Sequence, residues 1–130
     1  MADIFELLKE KNYYLERFLQ ESRKERQSFK ARRFDNLEPL YKKREQILAN
    51  ISSIDVRISK ICEEAKDEIL NGPGKDEISK LLKKIKDNVR YIMEEDLEII
   101  SCIENEKSKI IKEISQTKEG RRVLRGYKAI

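Results

Sequence analysis

Residues 37–74, LEPLYKKREQILANISSIDVRISKICEEAKDEILNGPG, contain the clearest structural signal in this chain of 130 residues. Apolar side chains recur there every three or four residues, which is the spacing of one face of a continuous α-helix. The series is Leu37, Leu40, Ile47, Ile51, Ile54, Ile58, Ile61, Ala65 and Ile69. Pro39 is tolerated because it falls in the first turn, and the Gly-Pro-Gly segment at 72–74 ends the pattern. The stretch therefore predicts one long helix over about residues 36–70.

A second amphipathic pattern follows Gly74 and predicts a helix over about residues 76–118. Its main apolar stripe consists of Ile78, Leu82, Ile85, Val89, Ile92, Ile99, Ile103 and Ile110. A second stripe beside it consists of Met93, Leu97, Ile100, Ile111 and Ile114. A helix with so broad an apolar face is expected to contact more than one neighbour. Ahead of residue 36, the sequence predicts a helix over about residues 3–33 that is apolar only in its front half.

The composition agrees with long helices. Charged residues make up 42% of the chain, glycine and proline are scarce, and no strand pattern competes with the helical ones. Short connections make consecutive helices antiparallel neighbours. We therefore predict an all-α fold with one helical domain over residues 1–130: an elongated antiparallel three-helix bundle or helical hairpin, with a short C-terminal helical tail at 119–130.

Two oppositely charged blocks give this arrangement a register. Residues 94–106 hold six carboxylates and no cation, whereas residues 20–33 hold six cations and two carboxylates. In the predicted topology the first and third helices are parallel, and position 4 lies level with position 78, so the two blocks face each other. Asp96 falls on the apolar seam, where we expect it to pair with a cation of the first helix or to mark a polar layer.

The sequence lacks the residue combinations of the common catalytic sites. The carboxylate cluster at residues 94–98 could in principle hold a cation or act as acid and base, but consecutive helical residues point in different directions, so a solvated or ion-paired face is expected. The chain has no histidine, and its two cysteines, Cys62 and Cys102, stand alone in helical patterns. There is therefore no zinc-ligand spacing and no pairing of nucleophile with imidazole base. We predict that the chain is not an enzyme, that it has no catalytic, cofactor-binding or metal site, and that both cysteines are free thiols.

The sequence also indicates which classes of partner are not expected. No apolar run approaches the ~20 residues that span a bilayer, and the N-terminus lacks the features of a secretory signal, so we expect a cytoplasmic protein without membrane insertion. Basic residues are interleaved with acidic ones and accompany no recognised motif, so a nucleic-acid partner is not expected. The basic tail from Lys118 to Ile130 is either a frayed terminus or a segment that docks on the bundle or on a partner.

Three features together resemble the small cytoplasmic chaperones of flagellar type III export, the group that serves hook-associated and filament-cap proteins. The first helix ends in a basic stretch, and the second has the periodic pattern from Leu37 and Leu40 to Ile58. The third is followed by GRRVLRGYK at residues 120–128, a basic run with a closing tyrosine that looks most like the filament-cap branch.

This resemblance implies binding without catalysis or cofactor. Such a chaperone shields the terminal helices of an unassembled flagellar export substrate and delivers it to the export machinery. The predicted partner-binding residues are Met93, Leu97, Ile100, Val123, Leu124 and Tyr127. The last three either contact the client or cover the groove within the chain, and the competing interpretation is that these side chains belong to the core.

The alternative function is that of a structural coiled-coil protein that self-associates, for instance as a homodimer, and has no client. The second and third helices are long enough to form an open hairpin, and the polar rear half of the first helix leaves part of their apolar surface uncovered. Oligomerisation would bury that surface.

Overall fold

Four α-helices make up the computed structural model, which describes residues 2–128, with side chains at 4–65, 68–69 and 72–126. They are α1 (Ala2–Lys30), α2 (Leu37–Asn71), α3 (Lys75–Ser115) and α4 (Lys118–Lys128). No strand occurs within residues 2–128. The predicted all-α fold is confirmed, including the short C-terminal helix.

The first helix lies in the middle of the bundle. Both α2 and α3 pack along α1, while α2 and α3 barely touch each other. Lys11 of α1 reaches Asp55 of α2 at 2.7 Å, and Glu25 pairs with Arg44, so α1 and α2 are antiparallel. The chain therefore forms the three-helix arrangement rather than an open hairpin of α2 and α3.

The two charge blocks meet as the sequence predicted. Arg26 donates to Glu95 at 2.6 Å, Arg23 lies 3.7 Å from the same carboxylate, and Arg32 reaches Glu106 at 2.7 Å. These contacts join residues of α1 and of the loop after it to residues 69 to 74 positions later in α3, which makes the two helices parallel. The charges therefore set the register of α3 on α1.

The continuous apolar core fills the half of the bundle near the start of α1, and Leu40 and Ile99 are buried apolar residues beyond it. The cluster contains Ile4, Leu8, Leu15, Phe18, Leu19, Ile47, Ile51, Ile78, Leu81, Ile85 and Ile92. The rear half of α1 is buried too, but through polar side chains, namely Glu21, Ser22, Glu25 and Ser28. Buried polar groups are stable only when they are paired, so this half depends on specific contacts.

The turn that ends α1 determines where the α1–α2 loop begins. Arg32 adopts the left-handed conformation, with φ at 55°. The Arg33 backbone N–H donates to the Ser28 carbonyl at 2.8 Å, and the Arg32 N–H donates to the Phe29 carbonyl at 3.1 Å. This is the Schellman pattern that satisfies the last carbonyls of a helix. It terminates α1 at Lys30 and turns Phe34 back toward Phe29.

The charge register can be tested by exchanging one pair. Arg26→Glu should destabilise the bundle by on the order of 2 kcal/mol, because it removes a charge-assisted hydrogen bond and places two carboxylates together. Adding Glu95→Arg should restore part of this loss. Urea unfolding followed by circular dichroism measures both changes. Lys30→Glu is the control, since Lys30 forms no ion pair with the described residues, and no recovery in the double variant would disprove the pairing.

Candidate functional site

An open apolar groove of about 820 Å³ lies at the end of the bundle where α1 stops. Its walls come from all four helices and from the α1–α2 loop. The lining residues are Phe29, Phe34, Leu37, Ile103, Glu106, Lys107, Ile110, Ile111, Ile114 and Leu124. Only Glu106 and Lys107 are charged, so the groove is suited to bind an apolar surface.

The groove exists because α3 is longer than the helix that covers it. α1 has 29 residues and α3 has 41, and the two run parallel from nearly level starts. At ~1.5 Å per residue, α3 projects about 15 Å beyond the last turn of α1. One wall is built by Phe29 and Phe34, whose rings meet edge to face with centroids 5.7 Å apart.

The fourth helix folds back against the end of α3. The Thr117 hydroxyl donates to the Ile114 carbonyl at 3.1 Å, and the Gly120 backbone N–H donates to Thr117 Oγ1 at 2.9 Å. Gly120 is buried against Ile114, where a β-carbon would overlap the carbonyl oxygen of that residue. This tight turn carries Leu124 into the groove.

The three predicted site residues on α3 are exposed. Met93, Leu97 and Ile100 have relative accessibilities of 62%, 68% and 55%, so the alternative that they belong to the core is wrong. Their spacing of four and three residues places them on one face of α3. The series continues with Ile103, which lines the groove. Exposed apolar surface therefore extends along α3 into the groove; we call Met93, Leu97 and Ile100 the α3 stripe.

The predicted tail residues with described side chains do not lie beside the α3 stripe. Leu124 is half-buried in the groove, while Val123 is exposed. The side chain of Tyr127 lies outside the described part of the structure. Leu124 meets Ile110, Ile111 and Ile114 rather than the stripe.

The aromatic wall of the groove was missed by the sequence reasoning. Phe29 lies in the last turn of α1 and Phe34 in the loop after it, and Leu37 was assigned only to the face of the second helix. Their role depends on where α1 ends, which the Schellman turn decides. Two isolated phenylalanines flanking a predicted helix end were the available signal.

Charged side chains border the α3 stripe. A crevice of about 600 Å³ places Leu97 beside Arg26 and Lys30 of α1 and beside Glu94 and Glu98 of α3. An apolar strip with a charged border resembles the anatomy of protein interfaces.

An ionic network below the groove joins three helices. Arg44 of α2 pairs with Glu25 of α1, lies 3.6 Å from Asp96 of α3, and stacks over the Phe18 ring at 4.8 Å from its centroid. Asp96 is thus paired with a cation of α2. Of the two alternatives for Asp96, the cation from the first helix is wrong, whereas a polar layer is what Glu25, Arg44 and Asp96 form. Burial, and then the neighbouring Glu25 carboxylate, raise the pKa of Tyr41 above its ordinary value of 10.0.

No group of side chains that could hold a metal ion is found among the described residues. Cys62 and Cys102 are free and half-buried. No helix in the described part of the chain is long and apolar enough to span a bilayer. What the geometry offers is an apolar binding surface.

Comparison with known proteins places the bundle in a family. The family model described as FlgN protein matches residues 1–90, which cover α1, α2 and the first part of α3. The match ends before the α3 stripe and the groove residues of α3 and α4. No curated protein and no solved structure matches the chain.

Proposed function

The chain belongs to the FlgN protein family, the flagellar export chaperone family for hook-associated proteins, and on that premise we propose what it binds and where. The protein is a non-catalytic cytoplasmic chaperone that holds an unassembled subunit of the hook-associated or filament-cap type in an export-competent state. The loaded chaperone is then delivered to the export machinery. Members of this family are in general not enzymes.

The observation that carries the proposal is the uncovered apolar surface of α3. It comprises the α3 stripe and the groove of about 820 Å³ into which the stripe leads. Monomeric proteins rarely leave contiguous apolar surface of this kind exposed unless it binds something. In a chaperone family, the expected occupant is an apolar segment of the client.

An amphipathic client helix fits this surface. Such helices lie in grooves through side chains spaced three, four and seven residues apart, and Met93, Leu97 and Ile100 present the same spacing. The flexible side chain of Met93 can adapt to clients of different shape. The carboxylates and cations beside Leu97 would then orient the client rather than supply most of its affinity.

Helix α4 takes part in this proposal through Leu124. That half-buried side chain lines the groove in the free chain, so a client helix either displaces α4 or packs beside it. In the first case Leu124 covers the groove, and in the second Val123, Leu124 and Tyr127 contact the client. The two arrangements have opposite consequences when α4 is released from α3.

Self-association is the other way to bury the same surface. A homodimer that pairs the α3 stripes would exclude water from the same residues without any client. It differs from the chaperone in one respect, because its affinity is for a second copy of the chain.

The client site can be tested with two exposed residues of the stripe. Leu97→Ser/Ile100→Ser should weaken binding of a hook-associated or filament-cap protein from the same organism by about 10- to 100-fold, since two buried apolar side chains are lost from the interface. Isothermal titration calorimetry measures the affinity, and sedimentation velocity reports the oligomeric state of the free chain.

Leu48→Ser/Val56→Ser is the matched control. It removes one leucine and one β-branched side chain from α2, at relative accessibilities of 51% and 68%. The control should bind the client normally. Equal losses of client affinity in both variants would contradict the assigned surface. If neither the unmodified chain nor the variants bind the client, and Leu97→Ser/Ile100→Ser alone dissociates a homodimer, the self-associating coiled-coil alternative is supported.

A further inference from the structure

Helix α4 has two chemically different faces. Gly120, Val123 and Leu124 lie on one side of the helix, and Gly120 and Leu124 contact the bundle. The other side carries Lys118, Arg121, Arg122 and Arg125, whose spacing of three, four and seven residues gathers them on one surface. We call these four residues the basic face. Because α4 docks through its apolar side, the basic face points away from the bundle, and all four side chains are exposed.

The basic face differs from the cations of the bundle in its use within the described part of the chain. The cations of the bundle reach carboxylates on other helices: Lys11, Arg23 and Arg26 do so from α1, and Arg32 does so from the loop after α1. Among the residues with described side chains, the basic face forms no ion pair. Four exposed charges of one sign within about two helical turns repel one another, and an acidic ligand would relieve that repulsion.

We propose that the basic face of α4 binds an acidic helical segment of a partner protein. Arginine guanidinium groups bind carboxylates through two parallel hydrogen bonds, and three of the four cations are arginines. The positions 118, 122 and 125 match carboxylates spaced three or four residues apart along a partner helix.

A protein segment fits better than a membrane surface. A helix that lies on a bilayer inserts its apolar face between the lipids, whereas Leu124 of α4 is engaged in the groove. A short segment also fits better than a nucleic acid. Beyond the exposed Lys107, Lys109 and Lys112 at the end of α3, the exposed residues Glu94, Glu98 and Glu104 would repel a polyanion long enough to reach them, whereas a short acidic helix would not reach them.

The basic face and the client groove are separate surfaces. The groove binds through apolar side chains, so client affinity should be nearly independent of salt, while binding to the basic face should weaken steeply as salt rises. Loss of client binding would therefore not disprove the acidic-partner site, and loss of that site would leave the proposed chaperone function standing.

The probe is a labelled alanine-based helical peptide with glutamates at positions i, i+3, i+4 and i+7, and fluorescence anisotropy measures its binding to the full chain. We expect about tenfold tighter binding than for the same peptide with glutamines, and about tenfold weakening between 50 and 300 mM salt. Arg121→Glu/Arg122→Glu/Arg125→Glu should abolish the binding.

Lys80→Glu/Lys83→Glu/Lys84→Glu on α3 is the matched control, because it makes the same change in net charge at exposed positions elsewhere. It should retain most of the binding. Equal loss in both variants would overturn the proposal in favour of net charge alone. Tighter α4-dependent binding to phosphatidylglycerol vesicles or to oligouridylate than to the peptide would overturn it in favour of a membrane or an RNA. If circular dichroism shows that the arginine variant loses helix, Arg121→Gln/Arg122→Gln/Arg125→Gln replaces it.

Discussion

Replacing Arg44 by methionine should lower the free energy of unfolding by about 3 to 5 kcal/mol, the usual cost of removing one partner from a buried ion pair. The Glu25 side chain is only 3% exposed, so its carboxylate would be left in the interior without its cation. Asp96 and the Phe18 ring would lose their contacts with the guanidinium as well. Urea unfolding followed by circular dichroism measures the change in the free energy of unfolding.

Two further variants identify the cause of this loss. Arg32→Met removes an arginine that is 51% exposed from its pair with Glu106, and exposed pairs contribute only about 0 to 1 kcal/mol. Arg44→Met/Glu25→Met removes both buried charges and should recover much of the stability, because an apolar pair of similar volume needs no cation. If Arg44→Met costs no more than Arg32→Met, the network does not stabilise the bundle.

This network explains how the polar half of the bundle holds together. The apolar cluster ends near Leu19, and above it α1 buries Glu21, Ser22, Glu25 and Ser28. Arg44 reaches α1 and α3 from α2, so it joins the three helices where apolar contacts are few. Stability there rests on the ion pairs of Arg44, since Glu21 Oε2 and Ser22 Oγ are buried without a hydrogen-bond partner among the described residues.

Periodicity predicted the helices, because the spacing of apolar residues can be read within a short stretch of sequence. The positions of the two charge blocks predicted the register of the first and third helices. The parallel offset of α1 and α3 followed from short connections, and Arg26 with Glu95 confirms it. The central position of α1 did not follow. The apolar pattern of a helix does not show which two neighbours pack against it. One of the two alternatives for Asp96, a cation of the first helix, was therefore wrong, because the cation comes from α2.

The candidate site was predicted in part for a related reason. Met93, Leu97 and Ile100 have the same pattern whether they face a core or solvent, and only the placement of α1 shows that they are exposed. The groove depends on the left-handed conformation of Arg32, a residue type that favours no such turn. Sequence spacing therefore found the stripe and missed the aromatic wall beside it.

Gly120→Ala should release α4 from the end of α3. The new β-carbon would overlap the carbonyl oxygen of Ile114 and lie 2.6 Å from Cγ2 of that residue, and a backbone group cannot move aside without breaking the turn. Leu124 would leave the groove, at a cost of about 1 kcal/mol, since the side chain is only half-buried. Amide hydrogen exchange in α4 should speed up by about 3- to 10-fold, which corresponds to a free energy of that order.

Gly126→Ala makes the same chemical change on the same helix, where the added β-carbon would lie within 4 Å of no described atom beyond its chain neighbours and its own helix backbone. It should leave docking intact and strengthen the helix slightly, by up to about 1 kcal/mol. Client affinity of the two variants then distinguishes the two roles of α4. If Leu124 covers the groove, Gly120→Ala binds the client more tightly than Gly126→Ala, because no docked helix must be displaced. If Val123, Leu124 and Tyr127 contact the client, Gly120→Ala binds more weakly. Identical exchange rates in both variants would show that α4 does not dock through Gly120.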